Sequence, residues 1–337
     1  MKLIFTGDLH LRGTNPRNRI GSYVDAAKAK LREVFTLAEE VGAVAILIPG
    51  DIFDAPQVAD SVKSMYADLL EESPVPIYTT PGNHDLSGYN IETYDNSSLK
   101  ILERMLPKLE VIKEPGRVRI FHYSGSDLSV ALTFQPYSGQ VDRAGFGYET
   151  GQGDTLPNDS GYETPFYIHV AHGMALDHIP PFDRFTLLQD IKTDADLVLT
   201  GHDHTGYGVY KRADGKVFCN PGALLRSAAS MSELERPIQI AVIDIRSKTD
   251  FDVTLVPIRC AKVGAEVLDR SGIEADKKRS YAMESFAALI KTNTGAKVLL
   301  DIPTIMETIA AQEGVDPEVI AVALKKIEEA RGAAYCR

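Results

Sequence analysis

One pattern recurs five times along the chain: an apolar, β-prone run is followed at once by a short segment whose side chains can bind metal ions. The runs are residues 3–6, 43–48, 77–80, 166–171 and 197–200, and the segments after them are Gly7-Asp8-Leu9-His10, Gly50-Asp51, Gly82-Asn83-His84-Asp85, His172-Gly173 and Gly201-His202-Asp203-His204. In open α/β sheets, ligands bind at the carboxyl ends of the strands. If the runs form neighbouring strands, these side chains converge on one rim of the fold.

Helical periodicity lies between the first runs. Apolar residues at positions 31, 34, 35, 38 and 41 predict an amphipathic helix over residues 23–41. Ser22 and Asp25 resemble a capping box at its start, and Gly42 ends it. Asp60 is the expected cap of a second helix, and residues 99–106 suggest a third. This β-α-β order favours parallel strands joined by crossover helices, and therefore an α/β fold.

The middle of the chain has a different pattern. Residues 118–122, 128–134, 238–245 and 251–258 are short β-prone runs with no helices between them, which predicts a second, more antiparallel sheet. Asp214-Gly215 between two further runs is typical of a hairpin turn. The segment 138–165 is rich in Gly, Asp, Glu and Thr, and a loop of this length is either functional or disordered.

The chain has 337 residues, which is long for a single core, so we expect a large domain and an accessory region. The composition changes near residue 262, which places the large domain at 1–261 and the accessory region at 262–337. Within the latter, 276–279 resembles a charged link, and 281–290, 305–313 and 319–331 resemble helices. The accessory region is a candidate cap or partner-binding segment.

Composition restricts the classes of partner and compartment. The net charge of −11 is unusual for a protein that holds long duplex DNA by charge alone, although metal ions can supply positive charge locally. Three widely spaced cysteines suggest a reducing compartment. The sequence shows neither a signal peptide nor an apolar stretch long enough to cross a bilayer. We therefore expect a cytoplasmic protein.

The residues at the five strand ends form a mixed nitrogen and oxygen donor set. They are Asp8, His10, Asp51, Asn83, His172, His202 and His204. A set without thiolates suits Mn, Fe or Zn and argues against a calcium site. It is large enough for two divalent ions, with Asp51 as the bridging candidate. Each residue alone could be structural, but their joint occurrence at five strand ends favours a dimetal centre that hydrolyses phosphoesters by in-line hydroxide attack on phosphorus.

Two further residues are candidates for catalysis. His84 directly follows Asn83, so both cannot easily face one metal, and we assign His84 to the substrate as a proton donor or charge stabiliser. Asp85 could fix the tautomer of His84. His122, His169 and His178 lack a partner motif and default to packing or surface positions.

Together these motifs resemble the signature motifs of the calcineurin-like metallophosphoesterases over roughly the first 225 residues, in order. The resemblance implies a four-layer α-β-β-α sandwich of two β-sheets between helices. By resemblance, Asp8, His10, Asp51 and His204 hold one ion. Asp51, Asn83, His172 and His202 hold the other, and His84 matches the catalytic histidine.

Within that family, the form Gly50-Asp51-Ile52-Phe53-Asp54, the length and the C-terminal extension are similar to the DNA-repair exonuclease branch, which includes the SbcD nuclease and its eukaryotic and phage relatives. That resemblance implies two manganese ions, DNA as the substrate, a homodimer and an SMC-like ATPase partner. Asn220-Pro221-Gly222 also resembles a turn found in small-molecule phosphodiesterases. The alternatives are therefore a DNA exonuclease or endonuclease, a nucleotide phosphodiesterase or phosphatase, and a binding scaffold with a vestigial site.

Overall fold

The computed structural model describes residues 1–115, 119–122, 128–149 and 165–292, together with a few positions between 319 and 326. The chain divides into two compact units, Met1–Arg270 and Ser271–Arg337. Most of the loop predicted at 138–165, the helix predicted at 305–313 and most of the one at 319–331 lie outside the described residues.

The strands of the first unit lie in two six-stranded sheets and one small pair. In chain order they are β1 (Lys2–Phe5), β2 (Ala43–Ile48), β3 (Ile77–Thr79), β4 (Leu109–Val111), β5 (Arg119–His122), β6 (Ser129–Gln135), β7 (Phe166–Ala171), β8 (Ala175–Leu176), β9 (Thr186–Leu187), β10 (Leu197–Thr200), β11 (Gly208–Lys211), β12 (Val217–Asn220), β13 (Gln239–Ile245) and β14 (Phe251–Pro257). The helices are α1 (Tyr23–Val41), α2 (Asp60–Glu71), α3 (Ser98–Met105), α4 (Met231–Glu235), α5 (Gly264–Val267) and α6 (Ser271–Thr292), with 3₁₀ turns at Ser87–Tyr89 and Ile91–Asn96.

The first sheet has the order β14-β13-β1-β2-β3-β4. Strands β1 to β4 are parallel, as the β-α-β pattern predicts, and α1 and α2 are two of the crossovers. The pair β13–β14 extends this sheet antiparallel to β1. The expectation that these two runs belong to the second sheet is therefore wrong, because strand periodicity does not encode which edge a hairpin joins.

The second sheet has the order β11-β12-β10-β7-β6-β5. Its centre, from β6 to β12, is parallel, and only the outer pairs β5–β6 and β11–β12 are antiparallel. The sheet is therefore more parallel than the sequence suggests. The predicted hairpin between β11 and β12 is confirmed, and Gly215 in its turn has a φ of +87°.

Three apolar layers hold the first unit together. The two sheets pack face to face through residues such as Phe5, Leu47 and Phe134, all buried. Helices α1 to α3 cover the other face of the first sheet, where Phe35 and Tyr66 are buried. In the described part of the chain, the outer face of the second sheet is covered by connecting segments that carry Tyr148 and Leu188. The predicted α/β fold with two packed sheets and helices is confirmed.

Local signals in the sequence differ in how well they mark the ends of helices. The Ser22 hydroxyl accepts the Asp25 N–H at the start of α1, and Gly42 ends the helix at a φ of +67°. Asp60 is not a cap: it is the first residue of α2 and pairs with Lys63 instead. The expected charged link at 276–279 is part of α6, because Lys and Arg are good helix formers.

Residues 262–270, which the sequence assigns to the accessory region, pack in the first unit. Ile20 donates its N–H to the Val267 carbonyl, and Arg19 forms a β-bridge with Leu268. The second unit begins with α6. In the described part of the chain, no helix combines the length and apolarity needed to cross a membrane.

Candidate metal centre

The seven side chains predicted as ligands follow the carboxyl ends of β1, β2, β3, β7 and β10, which belong to both sheets. The fold brings them to one rim of the sandwich. Ligand-type atoms of Asp8, His10, Asp51 and His204 lie within 4.8 Å of one another, and so do those of Asp51, His172 and His202. Asn83 joins the second group through His172. All seven are thus in one place, and Asp51 belongs to both groups.

The first group centres on two imidazoles. His10 Nε2 lies 2.8 Å from His204 Nε2, and Asp8 Oδ2 lies 3.6 Å from the same His204 nitrogen. Asp8 Oδ2 also accepts the backbone N–H of His202 over 2.9 Å, which fixes the carboxylate at the rim. Two ring nitrogens and a carboxylate oxygen thus point at one position.

The second group is arranged in a similar way. His172 Nδ1 lies 3.1 Å from the Pro49 carbonyl, which can only accept, so Nδ1 carries the proton. In the neutral imidazole, the form that binds metal, His172 Nε2 is then left with a lone pair. That nitrogen lies 2.9 Å from Asn83 Oδ1 and 3.4 Å from Asp51 Oδ2. A backbone carbonyl behind a metal-binding imidazole is a common way of fixing its tautomer.

Asp51 lies between the two groups. Its Oδ1 accepts the backbone N–H of His84 over 2.7 Å. Its Oδ2 lies 3.6 Å from His10 Nε2, on one side, and 3.4 Å from His172 Nε2, on the other. One oxygen is therefore held by the backbone while the other faces both groups, as a bridging carboxylate requires.

The donor atoms fit divalent cations. Within the described residues, Asp8 Oδ1 and Asp51 Oδ2 are buried without a hydrogen-bond partner. Leaving a buried carboxylate oxygen unpaired is unfavourable, and cations would remove that penalty. Imidazole nitrogens and carboxylate oxygens without thiolates suit Mn, Fe or Zn. The residues could thus bind a dinuclear metal centre.

The pKa shifts show that burial and neighbouring charges oppose one another at the centre. Burial raises the pKa of Asp8 above its ordinary value, and the charge of His172 offsets only part of this. Burial lowers the pKa of His172, but the nearby carboxylates, led by Asp51, outweigh it and raise that pKa to about 9. Burial would raise the pKa of Asp51, yet His172 and His10 hold it well below its usual range. A cation is the species that this environment favours.

The backbone at the rim is unusual where the ligands attach. His10, Asp51 and His202 have φ values of +47°, +48° and +73°, a region that side-chain-bearing residues rarely adopt. Such conformations persist where the surrounding structure holds them, often at functional sites. At Gly82 a Cβ would overlap the Asp51 carboxylate and backbone, so only glycine allows this close approach.

His84 lies beside the two groups. Its Nδ1 donates to the Asp54 carbonyl over 2.9 Å, which leaves Nε2 directed away from that contact. Its ring centroid lies 4.7 Å from that of His10, edge to face. The side chain is half-buried, whereas Asp51 and His172 are fully buried. His84 is therefore next to the predicted ligands and accessible to a substrate.

The role expected for Asp85 is wrong. Its carboxylate accepts the backbone N–H groups of Ile52, Phe53 and Gly82 at 3.3, 3.2 and 3.0 Å. It does not contact the ring nitrogen of His84, whose tautomer is held by Asp54 instead. Neighbours in sequence at a sharp turn direct their side chains apart, so Asp85 ties two ligand-bearing loops together. Burial and the charge of Asp51 raise the pKa of Asp85 to about 7.

Sequence reasoning missed Asp54. Besides holding His84, its carboxylate lies 3.5 Å from His10 Nδ1 and 3.0 Å from Arg12 Nη1. His10, Asp54 and His84 form a third close group of ligand-type atoms. The sequence feature that could have identified Asp54 is its position three residues after Asp51, at the end of the motif 50–54. Arg12, in the loop that follows His10, is thereby held at the rim.

Aromatic side chains flank the second group and were not predicted either. The ring centroid of Tyr137 lies 5.6 Å from that of His202 and 6.1 Å from that of Tyr89. Arg184 donates to the Tyr137 hydroxyl over 3.0 Å. Tyr137 is buried, whereas Tyr89 is 60% exposed. The aromatic rings lead from the centre to the surface.

His169 and His178 belong to none of the groups of ligand-type atoms among the described residues. His169 is buried with its ring nitrogens at 2.8 Å from the Thr133 hydroxyl and 3.0 Å from the Gly147 carbonyl. His178 is exposed and pairs with Asp177.

Comparison with known proteins shows the family to which the chain belongs. A family model described as calcineurin-like phosphoesterase matches residues 1–206. No curated protein sequence matches the chain. Similar solved structures include a novel archaeal phosphodiesterase (14% identity, 76% of this chain and 100% of that chain, TM-score 0.36). They also include TT1561 of Thermus thermophilus (13%, 77% and 99%, TM-score 0.41) and GAP50, the anchor in the inner membrane complex of Plasmodium (15%, 78% and 86%, TM-score 0.46). The family match covers more than half of the chain, which therefore belongs to the calcineurin-like phosphoesterases, metal-dependent hydrolases of phosphoester bonds.

Proposed function

We propose that the protein is a phosphodiesterase that cleaves DNA with two divalent metal ions, manganese being the first candidate. The observation that carries the proposal is the position of Asp51 Oδ2 between His10 and His172, at 3.6 and 3.4 Å, without a hydrogen-bond partner. Asp8, His10, Asp51 and His204 would hold one ion, and Asp51, Asn83, His172 and His202 the other. Two cations at such a site supply positive charge to the phosphoryl oxygens and lower the pKa of a water molecule.

His84 is the proposed proton donor. Because Nδ1 is held by the Asp54 carbonyl, Nε2 is the nitrogen that can face a substrate. When the bond between phosphorus and the leaving oxygen breaks, that oxygen takes a proton from Nε2 of the imidazolium. Proton transfer of this kind contributes typically about 10²- to 10⁴-fold in rate. Asp54 acts as a positioning residue, since it holds both His84 and His10.

The aromatic side chains favour a substrate that carries nucleobases. Tyr89 is 60% exposed and its ring lies 6.1 Å from that of Tyr137, which contacts the second metal group. A base stacked on an exposed aromatic ring contributes about 1–3 kcal/mol. We expect Tyr89→Ala to raise KM for DNA about tenfold and leave small aryl phosphodiesters unaffected, whereas Tyr89→Phe keeps the wild-type KM.

A nucleotide phosphodiesterase is the second candidate function, and the net charge of −11 favours it. A strongly acidic chain attracts long polyanions poorly, whereas a single nucleotide needs only the local charge of the metals. The two candidates share one centre and one mechanism. They differ in whether the substrate extends beyond the rim.

A substrate panel separates these candidates. The protein, loaded with Mn, Mg or Zn, is given single-stranded DNA, blunt and overhanging duplexes, cyclic nucleotides and a bis-aryl phosphodiester. The proposal expects manganese-dependent DNA cleavage, abolished in Asp51→Asn. Fast turnover of cyclic nucleotides with intact DNA would favour the second candidate. Absence of turnover on every substrate by a metal-loaded protein would leave only a binding scaffold.

By the resemblance to the exonuclease branch, we also propose a homodimer that works with an SMC-like ATPase. Light scattering of the purified chain tests the first part, since a single-chain mass would refute it. ATP-dependent stimulation of DNA cleavage by a co-expressed ATPase tests the second part.

A further inference from the structure

A cavity of about 280 Å³ lies at the amino-terminal end of α1, outside the metal centre. Its walls carry four basic side chains: Arg19, Lys30, Arg226 and Lys262. Among the residues that line it, all of them described, Asp25 is the single carboxylate, and it is exposed. The cavity is therefore strongly positive in a chain whose net charge is −11.

Two of these cations are buried outside any ion pair, and the Glu233 carboxylate, which pairs with Arg236, acts on Arg226 only at longer range. Lys30 is 4% exposed and Arg226 is 3% exposed. Lys30 Nζ donates to the Leu224 carbonyl over 2.9 Å, and the Arg226 guanidinium donates to the Glu233 and Arg236 carbonyls. No carboxylate of the described residues lies within ion-pair distance of either. Neutral carbonyls orient these groups but do not balance their charge.

Arg19 adds a third cation, half-buried and without an ion pair among the described residues. Its Nε is buried without a hydrogen-bond partner in the described residues, and its guanidinium lies 5.7 Å from the centre of the Tyr23 ring. Burying an ion without a counter-ion is strongly unfavourable. An anion bound in the cavity would therefore lower the electrostatic free energy of the cluster.

The titration of Lys30 is consistent with this. Burial, followed by the charges of Arg226, Arg236 and Arg19, lowers the pKa of Lys30 to about 7, and Cys260 opposes this only weakly. Burial and the charge of Arg236 likewise lower the pKa of Arg226 to about 10. Both groups are in surroundings that disfavour positive charge, and an anion in the cavity would oppose that effect.

The shape and the donors favour a phosphate group. Arginine forks and ammonium groups match the oxygens of a phosphate dianion, and the amino-terminal end of a helix adds favourable dipoles. Ile20, Ala29 and Val267 provide an apolar side to the cavity. The volume is near the lower limit of small-ligand pockets and is far too small for a duplex.

We propose that this cavity is a second site, separate from the metal centre, which binds a small phosphomonoester of mononucleotide size or inorganic phosphate. None of the predicted metal ligands lines it. Residues that contact its walls nevertheless reach their backbone. Tyr23, whose ring lies beside the Arg19 guanidinium, donates its hydroxyl to the His10 carbonyl, and Leu224, whose carbonyl accepts from Lys30, donates its N–H to the Asp8 carbonyl. Occupancy of the cavity is therefore able to influence the loops that carry Asp8 and His10.

The test is isothermal titration calorimetry of the metal-free full chain in chelator, with inorganic phosphate and AMP as separate ligands. An Asp51→Asn background removes any contribution of the metal centre. We expect saturable binding at one site, at least tenfold weaker in Arg19→Ala. Arg17→Ala is the matched control, because it removes the same charge from the same loop but does not line the cavity. The tighter of the two ligands identifies whether the site prefers a free phosphate or a phosphomonoester.

A second variant keeps the proposal falsifiable. Both ligands should raise the thermal unfolding midpoint of the wild type and of Arg17→Ala, but not of Lys30→Met. Absence of binding at millimolar phosphate and AMP, or equal affinity in Arg19→Ala and Arg17→Ala, overturns the proposal. These measurements need no turnover, so their failure is distinct from a failure of the proposed phosphodiesterase function.

Discussion

Replacement of His84 by alanine tests whether a residue beside the metal ligands acts on the leaving group. The substitution removes the imidazole but keeps the backbone N–H, which holds Asp51 Oδ1 over 2.7 Å. The side chain makes one hydrogen bond, to the Asp54 carbonyl over 2.9 Å, and the residue is half-buried. Losing such a bond costs about 1 kcal/mol of stability. We therefore expect His84→Ala to fold and to bind both metal ions.

Turnover should respond in a way that depends on the leaving group. Loss of a general acid typically lowers kcat about 10²- to 10⁴-fold, which is about 3–5 kcal/mol of activation free energy. That loss applies to DNA, whose leaving alkoxide needs a proton. A p-nitrophenyl phosphodiester leaves as a stable phenolate, so its kcat should fall by less than about tenfold.

The assay combines metal analysis by mass spectrometry with kcat for DNA and for the aryl phosphodiester. His178→Ala is the matched control, because His178 is exposed, hydrogen-bonds with Asp177 and belongs to none of the three groups of ligand-type atoms. A loss of metal in His84→Ala would show that the imidazole is a ligand. An equal fall of kcat for both substrates would show that it stabilises charge on phosphorus and does not protonate the leaving oxygen.

Three further substitutions test the surroundings of the site. Asp85→Ala leaves three buried backbone N–H groups without an acceptor. In urea titration of the metal-free protein, the free energy of unfolding should fall by at least about 3 kcal/mol. A loss below about 1 kcal/mol would contradict this role of Asp85. Gly82→Ala places a Cβ against the Asp51 carboxylate and should weaken metal binding at least tenfold, whereas Gly139→Ala, which meets open space, should not. Burial and neighbouring arginines lower the pKa of Lys30 to about 7. Above that pH, the unfolded chain binds a proton at Lys30 that the folded chain does not. The free energy of unfolding should therefore rise by up to about 1.4 kcal/mol per pH unit, up to about pH 10. Lys30→Met should remove that rise between pH 7 and 9, and an unchanged slope would refute the shift.

The parallel core of the fold and the convergence of the ligands could be predicted because both follow from local patterns. Apolar runs separated by helical periodicity specify parallel strands, and parallel strands of one sheet end at the same edge. The convergence of the ligands could be predicted without assigning each strand to one of the two sheets. Asp8 and Asp51 follow the first sheet while His172 and His202 follow the second, and the sandwich brings the two edges together.

Some features could not be predicted, because they depend on contacts between distant residues that produce no periodic pattern in the sequence. The sheet that β13 and β14 join is decided by packing against β1, and an antiparallel hairpin has the same alternation at either edge. The role of Asp54 was hidden because its main contribution to His84 is a backbone carbonyl, which every residue possesses. The basic cavity was hidden for a similar reason: its cations come from distant parts of the chain and show no motif.

The error at Asp85 shows why the candidate centre is more than a set of ligand residues. A carboxylate next to a catalytic histidine in sequence suggests a dyad, yet the Asp85 side chain binds the backbone of the loops that carry Asp51 and Asn83. Asp51 is held at a φ of +48°, a conformation that is uncommon for residues other than glycine, although Asp adopts it more readily than most. Hydrogen bonds from Ile52, Phe53 and Gly82 to one buried carboxylate offset that strain. Asp85 would therefore serve the proposed chemistry indirectly, by keeping Asp51 Oδ2 between His10 and His172.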